Sequence, residues 1–247
     1  MISLRHTGLI LLFSAFLNLH GQMFSPAQQI SIANNPQVVK SADFNGDGYA
    51  DMLYSALTEN EIAINLFNPE TGNFDEAQMV STAFSYAVSL FTADLDGDDD
   101  VDFLTVSQLN HKVAWFKNDG TGNFTQQPLI SSTAQGAISV IAADIDGDGD
   151  NDVVAAAKDD NTILWYENTD GNGNFSDAII ITDDGEFPVV IISADIDGDD
   201  DPDIIAGMLA GNKIVYYPNE GSGIFGEAQV ITTEISFISS LYARPEW

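Results

Sequence analysis

Asp144-Ile-Asp-Gly-Asp-Gly-Asp-Asn-Asp152 is one of four nine-residue loops in this chain that carry the same pattern of carboxylates. The other loops begin at Asp43, Asp94 and Asp195, so the first residues of successive loops lie 51, 50 and 51 positions apart. Side-chain oxygens at positions 1, 3, 5 and 9 of so short a loop repel one another unless a cation lies among them. The pattern therefore predicts four cation sites, and the period predicts a repeat fold.

The chemistry of these loops favours calcium. Ca²⁺ takes six to eight oxygen ligands at roughly 2.3–2.6 Å, whereas Mg²⁺ tends to keep its waters. An EF-hand needs a bidentate Glu at position 12 and flanking helices. Position 12 is Tyr54, Thr105, Ala155 or Ala206 in the four loops, which excludes an EF-hand.

The charge of the chain is concentrated in the loops. The chain has 247 residues, 45% of them hydrophobic, and a net charge of −31. The loops hold 3, 6, 5 and 6 acidic residues, which is 20 of the 38 in the chain. Only seven basic residues are present, so nucleic acid is not an expected partner. Because there is no Cys, neither disulfides nor a thiol nucleophile can form, and calcium would supply the cross-links.

The N-terminus predicts a signal peptide over residues 1–21. Arg5 and His6 precede an apolar run at 9–17, and Gly21 is a small residue before a cleavage point that would leave Gln22. The alternative is an uncleaved membrane anchor, but this run is short for a spanning helix. We expect a secreted protein, extracellular or at the cell surface, without a membrane span in the mature chain.

A recurring Phe confirms the period and sets the strands. Phe residues follow one another at 50, 50, 51 and 50 positions, at Phe24, Phe74, Phe124, Phe175 and Phe225. Short β-branched and aromatic segments between Gly-rich turns predict four strands per unit and no helix. Four strands in about 50 residues is typical of a propeller blade. The predicted all-β propeller occupies 22–247, with blades at 33–82, 83–133, 134–184 and 185–233 and a partial fifth at 234–247.

The loops resemble the Asp-x-Asp-Gly-Asp-Gly-x-x-Asp sequences of FG-GAP and VCBS-type repeats, over roughly residues 24–243. That family includes the calcium-binding β-propeller of integrin α subunits and many secreted bacterial proteins. The resemblance implies calcium ligands at the side chains of positions 1, 3, 5 and 9 and at the carbonyl of position 7, about four ions per chain. The implied metal ligands are Asp43, Asn45, Asp47, Tyr49 and Asp51; Asp94, Asp96, Asp98, Asp100 and Asp102; Asp144, Asp146, Asp148, Asp150 and Asp152; and Asp195, Asp197, Asp199, Asp201 and Asp203.

Two details distinguish the loops from one another. Asn45 offers a neutral amide where the other loops have a carboxylate, so the first site should be the weakest electrostatically. Asp99 and Asp200 stand where the other two loops have Gly, which predicts modest strain if this sixth position requires a positive φ.

The number of blades departs from the resemblance, since closed propellers of the family commonly have seven. Four complete blades are flanked by lone strands predicted near 27–32 and 235–243. Three interpretations stay open: a truncated seven-bladed propeller, an arc that closes by self-association, or a four-bladed ring.

The resemblance implies a binding or adhesion module for a protein or glycan, without catalytic residues or an organic cofactor. The alternative is the propeller portion of a polysaccharide-degrading enzyme, a lyase or hydrolase. The chain has no Gly-x-Ser-x-Gly or His-Glu-x-x-His motif, and carboxylates held against calcium make poor general acids. Trp115, Trp165 and Tyr216 recur in the third strands, where packing between blades is favoured over a sugar-stacking platform.

Overall fold

The computed structural model describes residues 35–235 together with 238, 240 and 241. The predicted signal peptide, the strand predicted near 27–32 and most of the segment 235–243 lie outside the described residues. Eighteen β-strands and no helix occur in the described part of the chain.

The strands form four successive blades and one small hairpin. The first blade contains β1 (Pro36–Ala42), β2 (Asp51–Ala56), β3 (Glu61–Asn65) and β6 (Gln78–Ser81), with the hairpin β4 (Phe67–Asn68) and β5 (Asn73–Phe74) beside it. The second contains β7 (Ala87–Ala93), β8 (Asp102–Ser107), β9 (Lys112–Asn118) and β10 (Phe124–Gln126). The third contains β11 (Ala137–Ala143), β12 (Asp152–Ala157), β13 (Thr162–Tyr166) and β14 (Ile179–Thr182). The fourth contains β15 (Pro188–Ala194), β16 (Asp203–Met208), β17 (Lys213–Tyr217) and β18 (Gln229–Thr232).

Each blade is an antiparallel meander whose strands pair in chain order, and in the first blade the hairpin β4–β5 lies between the paired strands β3 and β6. The acidic loop joins the first strand to the second, and its ninth residue pairs with the last residue of the first strand, as Asp152 does with Ala143. This arrangement confirms the predicted four-stranded blades of an all-β propeller.

The second strand of each blade lies at the centre of the packing. All residues of β8, β12 and β16 are buried. A strand covered on both faces by neighbouring blades has no solvent face, so its sequence is continuously apolar or small instead of alternating. Ala155, Ala156 and Ala157 at the end of β12 illustrate this, because each is fully buried.

Hydrophobic clusters join the first blade to the second, the second to the third, and the third to the fourth. Serines of the first strands add polar links between blades. The Val140 N–H donates to Ser89 Oγ at 3.3 Å, and the Ile191 N–H donates to Ser139 Oγ at 3.2 Å. Among the described residues, no core cluster joins the fourth blade to the first. Within the described residues, the blades are therefore joined in the order in which they follow one another along the sequence.

Candidate metal centres

The Asp at position 1 organises the backbone of each acidic loop. Asp144 accepts hydrogen bonds from the backbone N–H groups of Gly147 at 2.8 Å and Gly149 at 3.0 Å, one on each carboxylate oxygen. Asp94 and Asp195 bind the N–H groups at the same two positions of their loops. The carboxylate thus turns the loop around itself.

Positions 4 and 6 of all four loops have positive φ. At position 6, φ is 84° and 99° in Gly48 and Gly149, and 67° and 73° in Asp99 and Asp200. A side chain in this left-handed region is strained, although Asp tolerates it better than most residues. Position 6 therefore meets the condition, a positive φ, under which modest strain was expected at Asp99 and Asp200.

The Asp at position 9 is buried and connects the loop to the third strand. Asp152 accepts the Ile145 N–H at 3.2 Å on one oxygen and the Asn168 N–H at 2.7 Å on the other. Burial raises the pKa of Asp152 to about 6 and the pKa of Asp102 to about 7. Burial also raises the pKa of Asp51. Each of these carboxylates lies in a place where ionisation is unfavourable unless a positive charge is near.

In each of three loops, carboxylates of that loop converge closely enough to bind one ion together. Within each group, one oxygen per residue lies within 4.8 Å of the others; the groups are Asp94, Asp96 and Asp102; Asp144, Asp146 and Asp148; and Asp195, Asp197 and Asp199. The group of the second loop includes position 9, through Asp102, whereas the groups of the third and fourth loops include position 5. In the first loop the amide of Asn45 donates to Asp47 Oδ2 at 3.3 Å, an arrangement that a carboxylate could not make.

The donor set fits a hard cation. Every side-chain atom that is expected to bind the ion in the loops is an oxygen, the ligand atom that Ca²⁺ prefers. In the second loop, the Asp96 side chain is only 8% exposed, and its Oδ1 has no hydrogen-bond partner among the described residues. A buried carboxylate oxygen without a partner is costly, and a cation at the centre of the loop would satisfy it. The carbonyls of Tyr49, Asp100, Asp150 and Asp201 stay predicted ligands.

Lys117 is a charged residue at the second loop that the sequence patterns did not identify. Its Nζ contacts Asp96 Oδ2 and lies 2.8 Å from Asp98 Oδ2. Hydrogen bonding to Asp96 and Asp98 raises the pKa of Lys117, and the same contact lowers the pKa of Asp98. The repeat itself contained a signal, because only one of the four blades has a basic residue at this position. The residues equivalent to Lys117 in the first, third and fourth blades are Leu66, Glu167 and Pro218.

A buried Asn links each of the first three acidic loops to the following blade, and sequence reasoning missed it as well. Asn168 Nδ2 donates to the carbonyl of Leu95, position 2 of the preceding blade's loop, at 3.0 Å, and its Oδ1 accepts the Gly173 N–H at 3.2 Å. Asn118 and Asn219 make the same bond to Phe44 and Ile145 at 2.8 and 2.7 Å. The loops are therefore held from both sides.

The recurring Trp residues pack between blades. Trp115 is 3% exposed and Trp165 5% exposed. A Cβ at Gly173 or Gly223 of the next blade would collide with the Trp115 or Trp165 ring, respectively. The packing interpretation is therefore correct for both, while Tyr216, on the last blade, is half-buried.

A cleft opens between the second and third blades next to the second loop. Its volume is about 340 Å³, and its lining includes Asp96, Trp115, Gln127, Asn172 and Asn174. Side-chain amides and a carboxylate are thus placed beside aromatic carbon. None of the described residues forms a helix that could cross a membrane.

Among solved structures, the chain is similar to an Agrocybe aegerita lectin that recognises non-reducing terminal N-acetylglucosamine, with 24% identity and a TM-score of 0.57 over 83% of this chain and 54% of the lectin. An auxiliary nutrient binding protein of Bacteroides ovatus is 13% identical, with a TM-score of 0.52 over 83% of this chain and 48% of that one. Virginiamycin B lyase of Staphylococcus aureus is 13% identical, with a TM-score of 0.51 over 79% and 55%. This chain spans about half the length of each, and at these identities the likeness shows the propeller fold alone.

No curated protein matches the sequence. The family model of the FG-GAP-like repeat matches three overlapping stretches, residues 43–105, 94–155 and 144–206. Each match begins at the first Asp of one acidic loop and runs past the last Asp of the next. Together they cover more than half of the chain, which therefore belongs to the FG-GAP-like repeat family.

Proposed function

We propose that this protein is a secreted, calcium-stabilised β-propeller that binds a glycan and has no catalytic activity of its own. The observation that carries the calcium part is the convergence of three carboxylates within 4.8 Å in each of three loops. Bound Ca²⁺ supplies positive charge at the point where the loop carboxylates meet. The apolar run before Gly21 supports export, since it has the length of a signal-peptide core.

The role of the loops is structural. The position 1 carboxylate holds the loop backbone, while the position 9 carboxylate bonds to the chain that leaves the third strand, as in Asp144 and Asp152. Occupied loops therefore fix the end of the first strand against the start of the second and, through the buried Asn residues, against the next blade. Sites of extracellular modules bind calcium with a Kd of roughly 10⁻⁴–10⁻³ M, which extracellular calcium keeps filled.

Removing calcium tests this role. Ligand binding to the folded state alone stabilises it by mass action. We expect the melting temperature to fall by more than 10 °C in EGTA, because about four sites would each contribute on the order of 1 kcal/mol or more. A calcium measurement by mass spectrometry on the folded protein should give about four ions per chain. An unchanged melting temperature would rule out the structural role.

The cleft between the second and third blades is the proposed glycan site. The amides of Gln127, Asn172 and Asn174 offer both donors and acceptors, as sugar hydroxyls require. The likeness to a lectin and to a nutrient binding protein supports binding as the kind of function, while the ligands in their names are stated of those two proteins alone. Because Asp96 lines the cleft, glycan binding should depend on calcium in the second loop.

A glycan array followed by titration calorimetry tests this site. We expect binding that is lost in EGTA and weakened about ten-fold or more by Gln127→Ala or Asn172→Ala, the loss of roughly one to two hydrogen bonds. Gln229→Ala is the matched control, because Gln229 is an exposed amide on β18 of the fourth blade. Equal loss in the control variant would place the site elsewhere, and turnover of an acidic polysaccharide would indicate an enzyme.

A further inference from the structure

The second acidic loop differs from the others because it already contains a positive charge. Lys117 contacts the carboxylates at positions 3 and 5, Asp96 and Asp98, which are predicted calcium ligands. Among the described loop residues of the other blades, no ion pair of this kind occurs. The corresponding places are held by Leu66, Glu167 and Pro218, none of which is basic.

Building on the proposed calcium binding, we infer that Lys117 is a tethered competitor for the cation of the second loop, so that this loop binds Ca²⁺ more weakly than the third and fourth. The second and fourth loops have six acidic residues each and the third has five, so charge counted within the loops would place the second level with the fourth and above the third. The ammonium reverses this order, because Ca²⁺ must either displace it or bind beside a like charge. At the contact distance of an ion pair such repulsion is substantial even with strong screening.

The geometry shows why the competition is incomplete. Lys117 uses Asp96 Oδ2 and leaves Asp96 Oδ1 buried without a hydrogen-bond partner among the described residues. An ammonium offers three donors from one point, whereas a metal ion can be ligated from all sides. The site is therefore only partly compensated by Lys117, and Ca²⁺ can still gain by entering. Lys117 itself is 39% exposed, so its side chain has room to move aside.

The consequence is a graded response. At low calcium the third and fourth loops bind ions first, while the ammonium of Lys117 neutralises part of the negative charge of the second loop. The second loop fills after them, and it is the loop whose Asp96 lines the cleft between the second and third blades. Lys117 thus tunes the calcium range over which that cleft is completed.

Calcium titration of the metal-stripped full chain tests the inference, using Lys117→Met, which keeps the length of the side chain and removes its charge. Lys112→Met is the matched control, because Lys112 lies on the same strand with its Nζ 5.6 Å from the centre of the Phe84 ring. Calorimetry should show one weak site become tighter by about ten-fold or more in Lys117→Met and unchanged in Lys112→Met. Terbium luminescence gives a second readout, since Trp115 lines the same cleft as Asp96.

Adding Asp94→Ala, which leaves no side-chain oxygen at position 1, assigns the effect to the second loop. In that background, Lys117→Met should change no calcium affinity, because the site itself is lost. Lys117→Gln must reproduce the gain of Lys117→Met, and circular dichroism checks that each variant is folded. If four ions bind and neither Lys117 variant alters any affinity, or if both weaken a site, the inference is wrong while the proposed function stands. If the wild-type chain binds no calcium at all, both fail.

Discussion

Single residues determine the backbone strain of the loops, and at position 6 this strain can be measured separately from packing. A Cβ at Gly149 would meet nothing within 4 Å, so backbone conformation alone separates Gly from Asp there. Asp200 has φ 73°, and its replacement by Gly should raise the free energy of unfolding of the calcium-loaded protein by up to about 1 kcal/mol. Urea unfolding measures this change. Asp200→Asn keeps the Cβ and removes the charge, so an equal gain in that variant would show repulsion, not φ, to be the cause.

Titration of the position 9 carboxylates makes the metal-stripped protein sensitive to pH. Burial raises the pKa of Asp102 from 3.8 to about 7 and that of Asp152 from 3.8 to about 6. The folded state therefore binds more protons than the unfolded state between about pH 4 and 7. The stabilisation from these protons is present at low pH and is lost as pH rises through 6 to 7. Asp98, whose pKa Lys117 lowers, titrates below this window.

We expect the melting temperature of the metal-stripped protein to fall by several degrees from pH 5 to pH 8. Saturating calcium should abolish this fall, because an ion favours the ionised carboxylates. Asp102→Asn should remove the portion of the fall near neutral pH. Calorimetric melts across this range are the measurement, and a melting temperature that rises with pH in the metal-stripped protein would contradict the assignment.

At the scale of the strand, the sequence predicted the inner strands of the blades, because burial imposes apolar, β-branched or aromatic residues on them. Trp115, Trp165 and Tyr216, which the sequence places on the third strands, lie on β9, β13 and β17. The positions of the outer strands were harder to predict from the sequence, because β6, β14 and β18 are largely exposed and show little apolar pattern. They begin four residues after the recurring Phe, whereas β10 begins at Phe124 itself.

The candidate site was predictable only where it repeats within one loop. Positions 1, 3, 5 and 9 follow from spacing, since their oxygens belong to nine consecutive residues. Lys117 reaches Asp96 across the sheet from 21 residues away, and Asn168 reaches Leu95 from 73 residues away. No local pattern encodes contacts of that length, so the structure was needed to find them.

The buried Asn residues connect one blade to the next, and their removal should be costly. Asn168 is 1% exposed and donates to the carbonyls of Leu95 and Asn151. Asn168→Ala leaves both carbonyls without this donor and should lower the free energy of unfolding by about 2–3 kcal/mol. The matched control is Asn172→Ala, an exposed residue of the same turn, with an expected change within about 0.5 kcal/mol. Equal effects of the two substitutions in urea would show that the link between blades contributes little.

At the scale of the whole molecule, each blade covers the loop of the blade before it. Phe44, Leu95 and Ile145, at position 2 of the first three loops, are at most 1% exposed. Ile196 holds the same position in the fourth loop and is 45% exposed. Stability in a repeat array comes from such neighbour contacts, so the same residue type contributes less to stability in the fourth loop than in the first three.

The pair Ile145 and Ile196 turns this difference into a measurement. Ile145→Ala should lower the free energy of unfolding by about 2–5 kcal/mol, because it opens a cavity between the third and fourth blades. Ile196→Ala should change it by no more than about 0.5 kcal/mol in dilute solution, where solvent already contacts the side chain. Urea unfolding at low and high protein concentration, with sedimentation of the same samples, separates a side chain exposed to solvent from one that self-association covers. If Ile196→Ala is costly only at high concentration, a second copy covers the fourth loop; if it is as costly as Ile145→Ala even when dilute and monomeric, the Ile196 side chain is covered within a single chain.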